Sequence, residues 1–215
     1  MVSHATSIEE KEARSTHILA VALELFMQDT RRLPTVDAIA RKSGLAKGTI
    51  YLYFSSKEHI FASLLAQEWH GLLGVVADCF SGAMAAQKMI DQFALKFARY
   101  LSSHPYFLRL DSMGYALLEA KLPPDQFWAF KNQFVSHLKL MGSVIDRALS
   151  FEAGRGLTLL TRSYALTRGL WQLGDHPDTH RAHPNFAEHP FAQIDFNTDL
   201  KEALLEYWAG AAGPV

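Results

Sequence analysis

The sequence predicts an all-α fold of about nine helices, and three observations carry that expectation. Apolar residues recur at three- and four-residue intervals along almost the whole chain. Alternating strand patterns are nearly absent. Glycine, proline and capping residues punctuate the periodic runs where helices should end.

Ser7 followed by Glu10 has the spacing of a capping box, opening a first helix with Ile18, Ala22, Leu25 and Phe26 on its buried stripe. Thr35 is placed to cap a second helix over Val36 to Ser43, and Gly44 supplies a left-handed corner. A third helix follows from about Lys47 to Tyr53. Ser56 caps a long fourth helix carrying Ile60, Phe61, Leu64, Leu65, Trp69, Leu72 and Val76.

Ser81-Gly82 interrupts the pattern before a fifth helix with Ile90, Phe93, Phe97 and Leu101 inward. His104-Pro105 ends it, and a sixth is expected to run to about Lys121. Pro123-Pro124-Asp125 restarts the chain, since proline fits a first helical turn and an acid there complements the dipole. The seventh helix places Phe130, Phe134, Leu138, Met141, Ile145 and Leu149 on one side. An eighth, after Ala153-Gly154-Arg155-Gly156, carries two apolar faces: Leu157, Leu160, Tyr164 and Trp171, and Leu159, Leu166, Leu170 and Leu173. A polar loop rich in His and Pro leads to the last helix, from Thr198 to about Ala209.

Formal net charge is -1 over 215 residues, so any surface for a polyanion must be local. One such block exists. Arg31, Arg32, Arg41, Lys42, Lys47 and Lys57 crowd one short stretch, opposed only by Asp37. A solvated charged face would have the same composition. Cys79 is the sole cysteine, which excludes an intrachain disulfide and suits a reducing compartment; its apolar helix suggests a buried, inert thiol. Residues 1–11 lack the basic and apolar regions of a signal peptide, and the apolar runs are too short to span a bilayer. A cytoplasmic protein with no membrane partner is expected.

The stretch from Leu33 to Phe54 is written as a helix-turn-helix. Ile39, Ala40, Leu45 and Ile50 have the spacing that packs two helices together. Lys47, Gly48 and Thr49 then offer small and polar side chains at the start of a short exposed helix, where base edges are read. Tyr51, Tyr53 and Lys57 supply hydroxyls and an ammonium for the phosphate backbone.

Residues from about Ile18 to Phe61 resemble the N-terminal domain of the TetR (tetracycline-repressor) family of transcriptional regulators. The resemblance runs through Ile18-Leu19, Ala22-Leu23, Leu25-Phe26, Thr35-Val36, Ile39-Ala40, Gly44, Lys47-Gly48-Thr49-Ile50-Tyr51, Tyr53-Phe54, Ser56-Lys57-Glu58 and Ile60-Phe61. It implies a DNA-binding domain over 1–55 and an all-helical effector-binding and dimerisation domain over 56–215. It further implies a homodimer on a near-palindromic double-stranded DNA operator, released by a small molecule, with no enzyme activity and no cofactor. Three positions depart from the family pattern. Thr30 and Arg31 replace a common glycine and aromatic, Pro34 stands where Thr or Ser is usual, and Ala46 leaves the recognition helix without its usual hydroxyl cap.

DNA contacts are therefore expected from Thr35, Lys47, Gly48, Thr49, Tyr51, Tyr53 and Lys57. Arg31 and Arg32 are equally well explained as phosphate ligands or solvated loop charges, and Tyr51 could pack between helices. Aromatic and polar residues on apolar stretches suggest an effector pocket of Phe107, Asp111, Tyr115, Phe134, His137, Tyr164 and Trp171, for a mostly apolar or aromatic molecule. Each of these would also serve as ordinary core. The second face of the eighth helix needs a partner, so Leu159, Leu166, Leu170 and Leu173, with Leu200, Leu204, Tyr207 and Trp208, are expected at a dimer interface.

His176, His180, His183 and His189 have the donor type for zinc or nickel. Pro177, Pro184 and Pro190 interrupt any regular face, which favours a solvated loop and no metal. Two other classes remain: a helix-turn-helix regulator without an effector, and an all-helical metal-dependent enzyme. No nucleophile elbow, phosphate-binding loop, His-Glu-x-x-His pair or dinucleotide glycine set supports the enzyme.

Overall fold

The computed structural model describes residues 2–114 and 118–212. It is all-α, as expected, with no strand among the described residues. The helices are α1 (Val2–Gln28), α2 (Val36–Ser43), α3 (Lys47–Tyr51), α4 (Lys57–Cys79), α5 (Ala86–Ser103), α6 (Pro105–Met113), α7 (Pro124–Ala148), α8 (Arg155–Gly174), α9 (Asp178–Arg181), α10 (Pro184–Ala187) and α11 (Phe196–Ala212). Two compact units emerge: Met1–Glu68 with Arg109–Lys131, and Trp69–Leu108 with Asn132–Val215.

In the first unit, Ile18, Ala22 and Phe26 of α1 meet Ile39 and Ala40 of α2, Ile50 of α3 and Phe61 of α4 in a solvent-free core. The Phe26 and Phe61 rings lie 5.7 Å apart. Thr35 Oγ1 accepts the Ala38 N–H at 3.2 Å, and Gly44 turns the chain at φ 69°. Ser56 Oγ accepts the His59 N–H at 3.1 Å, the expected cap of α4. The start of α7 is tied in here: Ser55 Oγ donates to Gln126 Oε1 at 3.1 Å, and Lys121 lies 3.8 Å from the mostly buried Glu58 carboxylate.

The second unit is built around α11, which packs on α5 and α8. Trp208 is fully buried, 4.6 Å from the Phe93 ring and stacked on Phe80 at 5.6 Å. Its indole N–H donates to Ser163 Oγ at 2.9 Å, and that hydroxyl donates to Leu159 O at 2.8 Å, so both groups of this contact are satisfied. Helices α7 and α8 join through Ser150 (φ 55°) and Gly154 (φ 89°). The Asp146 carboxylate accepts the N–H groups of Gly154 at 2.7 Å and Gly156 at 2.6 Å, capping α8 from the preceding helix. At the crossing, a Cβ on Gly156 would sit 2.4 Å from Gly142 O, so two glycines set the approach of these helices.

Several expectations are corrected. Helix α1 begins at Val2, so Ser7 lies inside it and is no N-cap. The α-helical geometry of α6 ends at Met113; Gly114 and Leu118 have π geometry, and a 3₁₀ turn spans Glu119–Lys121, so the expected segment changes in helix type. Helices α9 and α10 form inside the His/Pro loop, bringing the described helices to eleven. Proline breaks a helix interior but is tolerated in a first turn, and here His183 Nδ1 accepts the Asn185 N–H to cap α10. Helix α4 is, by length and mean hydropathy (1.3), apolar enough to cross a membrane, yet half of that window is buried in the protein. Its residues serve the cores of both units: Ile60, Phe61, Leu64 and Leu65 are buried in the first, Trp69, Leu72 and Val76 in the second.

Candidate nucleic-acid interface and effector region

The sequence places Lys47, Gly48 and Thr49 at the first turn of α3, and the structure leaves that turn open. Ala46 adopts the extended backbone of an N-cap but makes no side-chain cap. Lys47 and Gly48 are exposed, Thr49 is half-buried, and Ile50 behind them is fully buried. A Cβ on Gly48 would meet nothing within 4 Å, so the smallness of this residue answers to nothing inside the protein. Tyr51 is 47% exposed, which removes the alternative of a ring packed between helices. Tyr53, in the turn after α3, and Lys57, at the start of α4, are half-buried, and Thr35 is exposed with its hydroxyl spent on the α2 cap.

Three of the cations in this block are held by acids. Lys47 Nζ lies 2.9 Å from Asp37 Oδ1, Lys42 Nζ 2.6 Å from Glu24, and Arg32 Nε 2.8 Å from Asp29. The Asp37 carboxylate beside it raises the Lys47 pKa, while Arg32 and the Arg31 N–H hold the Asp29 carboxyl below its usual range. All three pairs are solvent-exposed, so each is worth little to stability. What they change is the charge presented outward. Asp37 was visible in the sequence only as an opposing charge; its position one turn back on a facing helix is a product of the fold.

The expected effector residues fall in different places. Phe107, Phe134 and Tyr164 come together, and the Trp69 indole fills the space between them, edge-on at 5.1, 4.9 and 4.7 Å. Trp69 is 7% exposed. The grouping expected as a pocket wall is thus a packed aromatic cluster around a residue assigned only to the α4 core stripe. His137 lies 5.3 Å from His70 on the same helices. Asp111 is buried in the first unit, and Tyr115 lies outside the described residues. Trp171 belongs elsewhere. It lines a cavity of about 250 Å³ with Leu101, Leu108, Arg181, Ile194 and Phe196. Those partners come from four separate stretches of chain, so no local spacing announces them.

The expected dimer face is corrected in part. Leu159, Leu200, Leu204 and Trp208 are fully buried within the chain itself and have no surface to offer. The buried stripe of α8 is Gly156, Leu159, Leu160, Ser163 and Thr167, with polar residues where an apolar face was expected. Ser163 and Thr167 satisfy their hydroxyls on backbone carbonyls one turn back, which lets them line a core. Leu166, Leu170 and Tyr207 remain half-buried and Leu173 is 42% exposed. An open groove between α8 and α11 is lined by Arg162, Leu166, Ala203, Glu206 and Tyr207. The Tyr207 hydroxyl is buried with no hydrogen-bond partner among the described residues.

In the His/Pro loop, His183 and His189 spend Nδ1 on the Asn185 and Phe191 N–H groups, and His176 sits between the Phe186 and Phe191 rings. No group of three metal-ligating side chains converges among the described residues.

Comparison with known proteins agrees with this architecture. Residues 18–64 match the model for bacterial regulatory proteins of the tetR family, and residues 66–214 match a tetracyclin repressor-like C-terminal domain. The HTH-type transcriptional regulator SrpR of Pseudomonas putida is 25% identical over 166 residues, covering 73% of this chain and 76% of SrpR. The fatty acid metabolism regulator protein of Bacillus subtilis (strain 168) is 34% identical over 61 residues, covering 28% of this chain and 31% of that protein. Among solved structures, FadR from Bacillus subtilis in complex with stearoyl-CoA superposes with TM-score 0.56 at 17% identity, covering 89% of this chain and 95% of FadR. A TetR-family regulator from Syntrophomonas wolfei gives TM-score 0.64 at 14% identity, covering 95% and 97%. At such identities the structures speak for the fold, while the two family models together span the chain from helix-turn-helix to C-terminal bundle: the protein belongs to the tetR family of bacterial regulatory proteins and is a transcriptional regulator.

Proposed function

We propose that this regulator is a cytoplasmic homodimeric repressor that binds a near-palindromic operator and leaves it when a small molecule binds the body. The observation that carries the DNA half is the open first turn of α3. Lys47, Gly48 and Thr49 stand at an exposed helix start, and Gly48 leaves clearance that no internal contact uses. Tyr51, Tyr53 and Lys57 supply backbone contacts, and Thr35 supplies its α2 terminus. A two-fold dimer reads half-sites one helical turn (about 34–36 Å) or a multiple apart.

Support for the dimer comes from α8 and α11. Leu166, Leu170, Leu173 and Tyr207 are the members of the expected face that retain surface. Leaving a buried hydroxyl unpaired costs about 1–3 kcal/mol, so an acceptor supplied across the groove would stabilise the Tyr207 side chain. Ligand release of DNA requires only that the effector bind one conformation better than the other. The relative that binds stearoyl-CoA makes acyl thioesters a class worth testing. In this reading the chain performs no catalysis.

Fluorescence anisotropy with DNA from the flanks of its own gene tests the proposal. Wild type should bind one fragment selectively and as a dimer. Lys47→Ala should remove the selectivity, whereas Lys57→Ala should weaken all sequences alike and lower the salt slope by about 1. Unchanged binding by both variants would overturn the contacts.

A further inference from the structure

We infer that the cavity lined by Trp171 is a binding site for a small monocarboxylate with an aromatic or branched apolar body. The inference rests on the ligand-responsive reading above and places the effector beside Trp171, away from the Trp69 cluster, whose rings meet edge-on at 4.7–5.1 Å. The cavity lies wholly within the second unit, between the ends of α5, α6 and α8 and the chain leading into α11. At about 250 Å³ it falls below the roughly 300–1,000 Å³ of drug-sized pockets, and an apolar cavity of about 150 Å³ already accepts benzene. One ring with a short acidic tail is the scale that fits.

The walls set the chemistry. Leu101, Leu108, Trp171, Ile194 and Phe196 form an apolar lining, and Pro105 adds a rigid edge. Two charged residues stand on the lining, Arg181 and Asp175. Asp175 already has an interaction within the chain. Arg181 donates Nη2–H to Gly174 O at 2.8 Å and Nε–H to His176 O at 3.1 Å. A guanidinium has five N–H donors, so three remain for a ligand, and its planar fork suits a carboxylate. Ser102 is occupied otherwise, its hydroxyl set between Ala98 O and Asn197 Oδ1 at 3.0 Å each. An apolar body against the leucines and rings, with its carboxylate on Arg181, uses every group the lining leaves open.

The same two carbonyl bonds make Arg181 a latch on the turn after α8. A carboxylate on its outer donors would hold that turn at the base of the helix proposed to face the dimer partner. Occupancy and dimer geometry would thereby be coupled.

Isothermal titration of the full chain tests this with phenylacetate and 4-methylvalerate as probes, and with phenylacetamide and phenethylamine as neutral and cationic counterparts. The expected result is saturable binding of at least one acid, one per chain, with its amide or amine analogue at least tenfold weaker. Arg181→Gln should lose at least tenfold. Ile194→Trp, which fills the cavity from the loop side, should abolish binding. Absence of saturable binding by both acids overturns the site, as does equal binding of phenylacetamide or phenethylamine, or unchanged binding by Ile194→Trp. If Arg181→Gln unfolds the turn, the wild-type comparison of acid with amide still decides. Anisotropy on the same preparation separates the two readings. Selective DNA binding without acid binding defeats only the cavity site, and acid binding without selective DNA binding defeats the regulator reading while supporting the site.

Discussion

The recognition turn of the helix-turn-helix head and the aromatic core of the body handle large side chains in opposite ways. In the head, Leu52 is 78% exposed and Tyr51 47% exposed beside a recognition helix of only five residues. In the body, Trp208 is 0% exposed and even its indole N–H is satisfied internally. The head thus spends its surface on what it will meet outside the chain. The body's core spends its large side chains on holding itself together, and the body also offers a groove between α8 and α11 and a small cavity.

Truncation should expose that contrast most strongly. Trp208→Ala removes two ring contacts and the partner of Ser163, and should cost about 3–5 kcal/mol, read as a fall in the urea midpoint. Leu52→Ala deletes a side chain of comparable hydrophobicity but little burial and should stay within about 0.5 kcal/mol. Equal losses would mean that Leu52 is covered in the folded protein.

Glycines sharpen the same comparison. In Gly156→Ala the new methyl meets Gly142 O at 2.4 Å and the Ile145 side chain at 2.9 Å, so α7 and α8 must part, at about 1–3 kcal/mol. Gly48→Ala enters open space in a helix and should raise stability by up to about 1 kcal/mol while weakening operator binding. Stabilisation with unchanged DNA affinity would show that the operator does not approach Gly48.

How much could be seen in advance follows the same division. Thr35, Gly44, Ala46 and Ser56 act within four residues of what they cap or turn, so local spacing revealed their roles before any tertiary contact was known. The head was legible because its parts are neighbours in sequence. In the body, periodicity located the buried stripes of α4 and α5 but not what each stripe would meet. Two apolar faces on α8 imply a partner and point Leu159 outward; the inward stripe instead joins Leu159 and Leu160 to Ser163 and Thr167, whose hydroxyls are satisfied on their own backbone. Trp69 meets Phe107, Phe134 and Tyr164 edge-on, a meeting of α4 with three other helices that no local spacing announces. Such outcomes depend on crossings set by Gly142, Gly156 and Asp146, which no single-helix pattern encodes.

A smaller effect should appear where the head restrains its own cations. Asp37→Asn removes the acid that holds Lys47 at 2.9 Å without removing a side chain of that size. An exposed pair of this kind contributes at most about 1 kcal/mol, so folding should hardly change. Non-specific DNA affinity at low salt should rise about two- to fivefold, with a salt slope steeper by about 1, while the preference for the operator narrows. A proportional gain on operator and random DNA, leaving the ratio intact, would mean that Asp37 tunes affinity without tuning specificity.

The smallest expected effect concerns pH and sets head against body through one histidine. Burial pushes the His59 pKa below its ordinary value, and its Nδ1 accepts the Ser55 N–H at 3.3 Å, which only an unprotonated Nδ1 can do. The unfolded chain binds this proton at about pH 6.5, whereas the folded chain resists it until a lower pH. Above about pH 6.5 both states hold His59 neutral and its contribution is complete. As pH falls, the unfolded state gains the proton first, so stability drops through this window and levels off once the folded His59 is itself protonated. Urea midpoints at pH 7.5 and 5.5 should therefore separate more for wild type than for His59→Asn, whose amide oxygen offers a non-titrating acceptor at a similar reach. The other histidines contribute to both proteins and cancel in the difference. If the two separations coincide, the Ser55–His59 contact does not govern the head, and the acid sensitivity of the chain lies in the body.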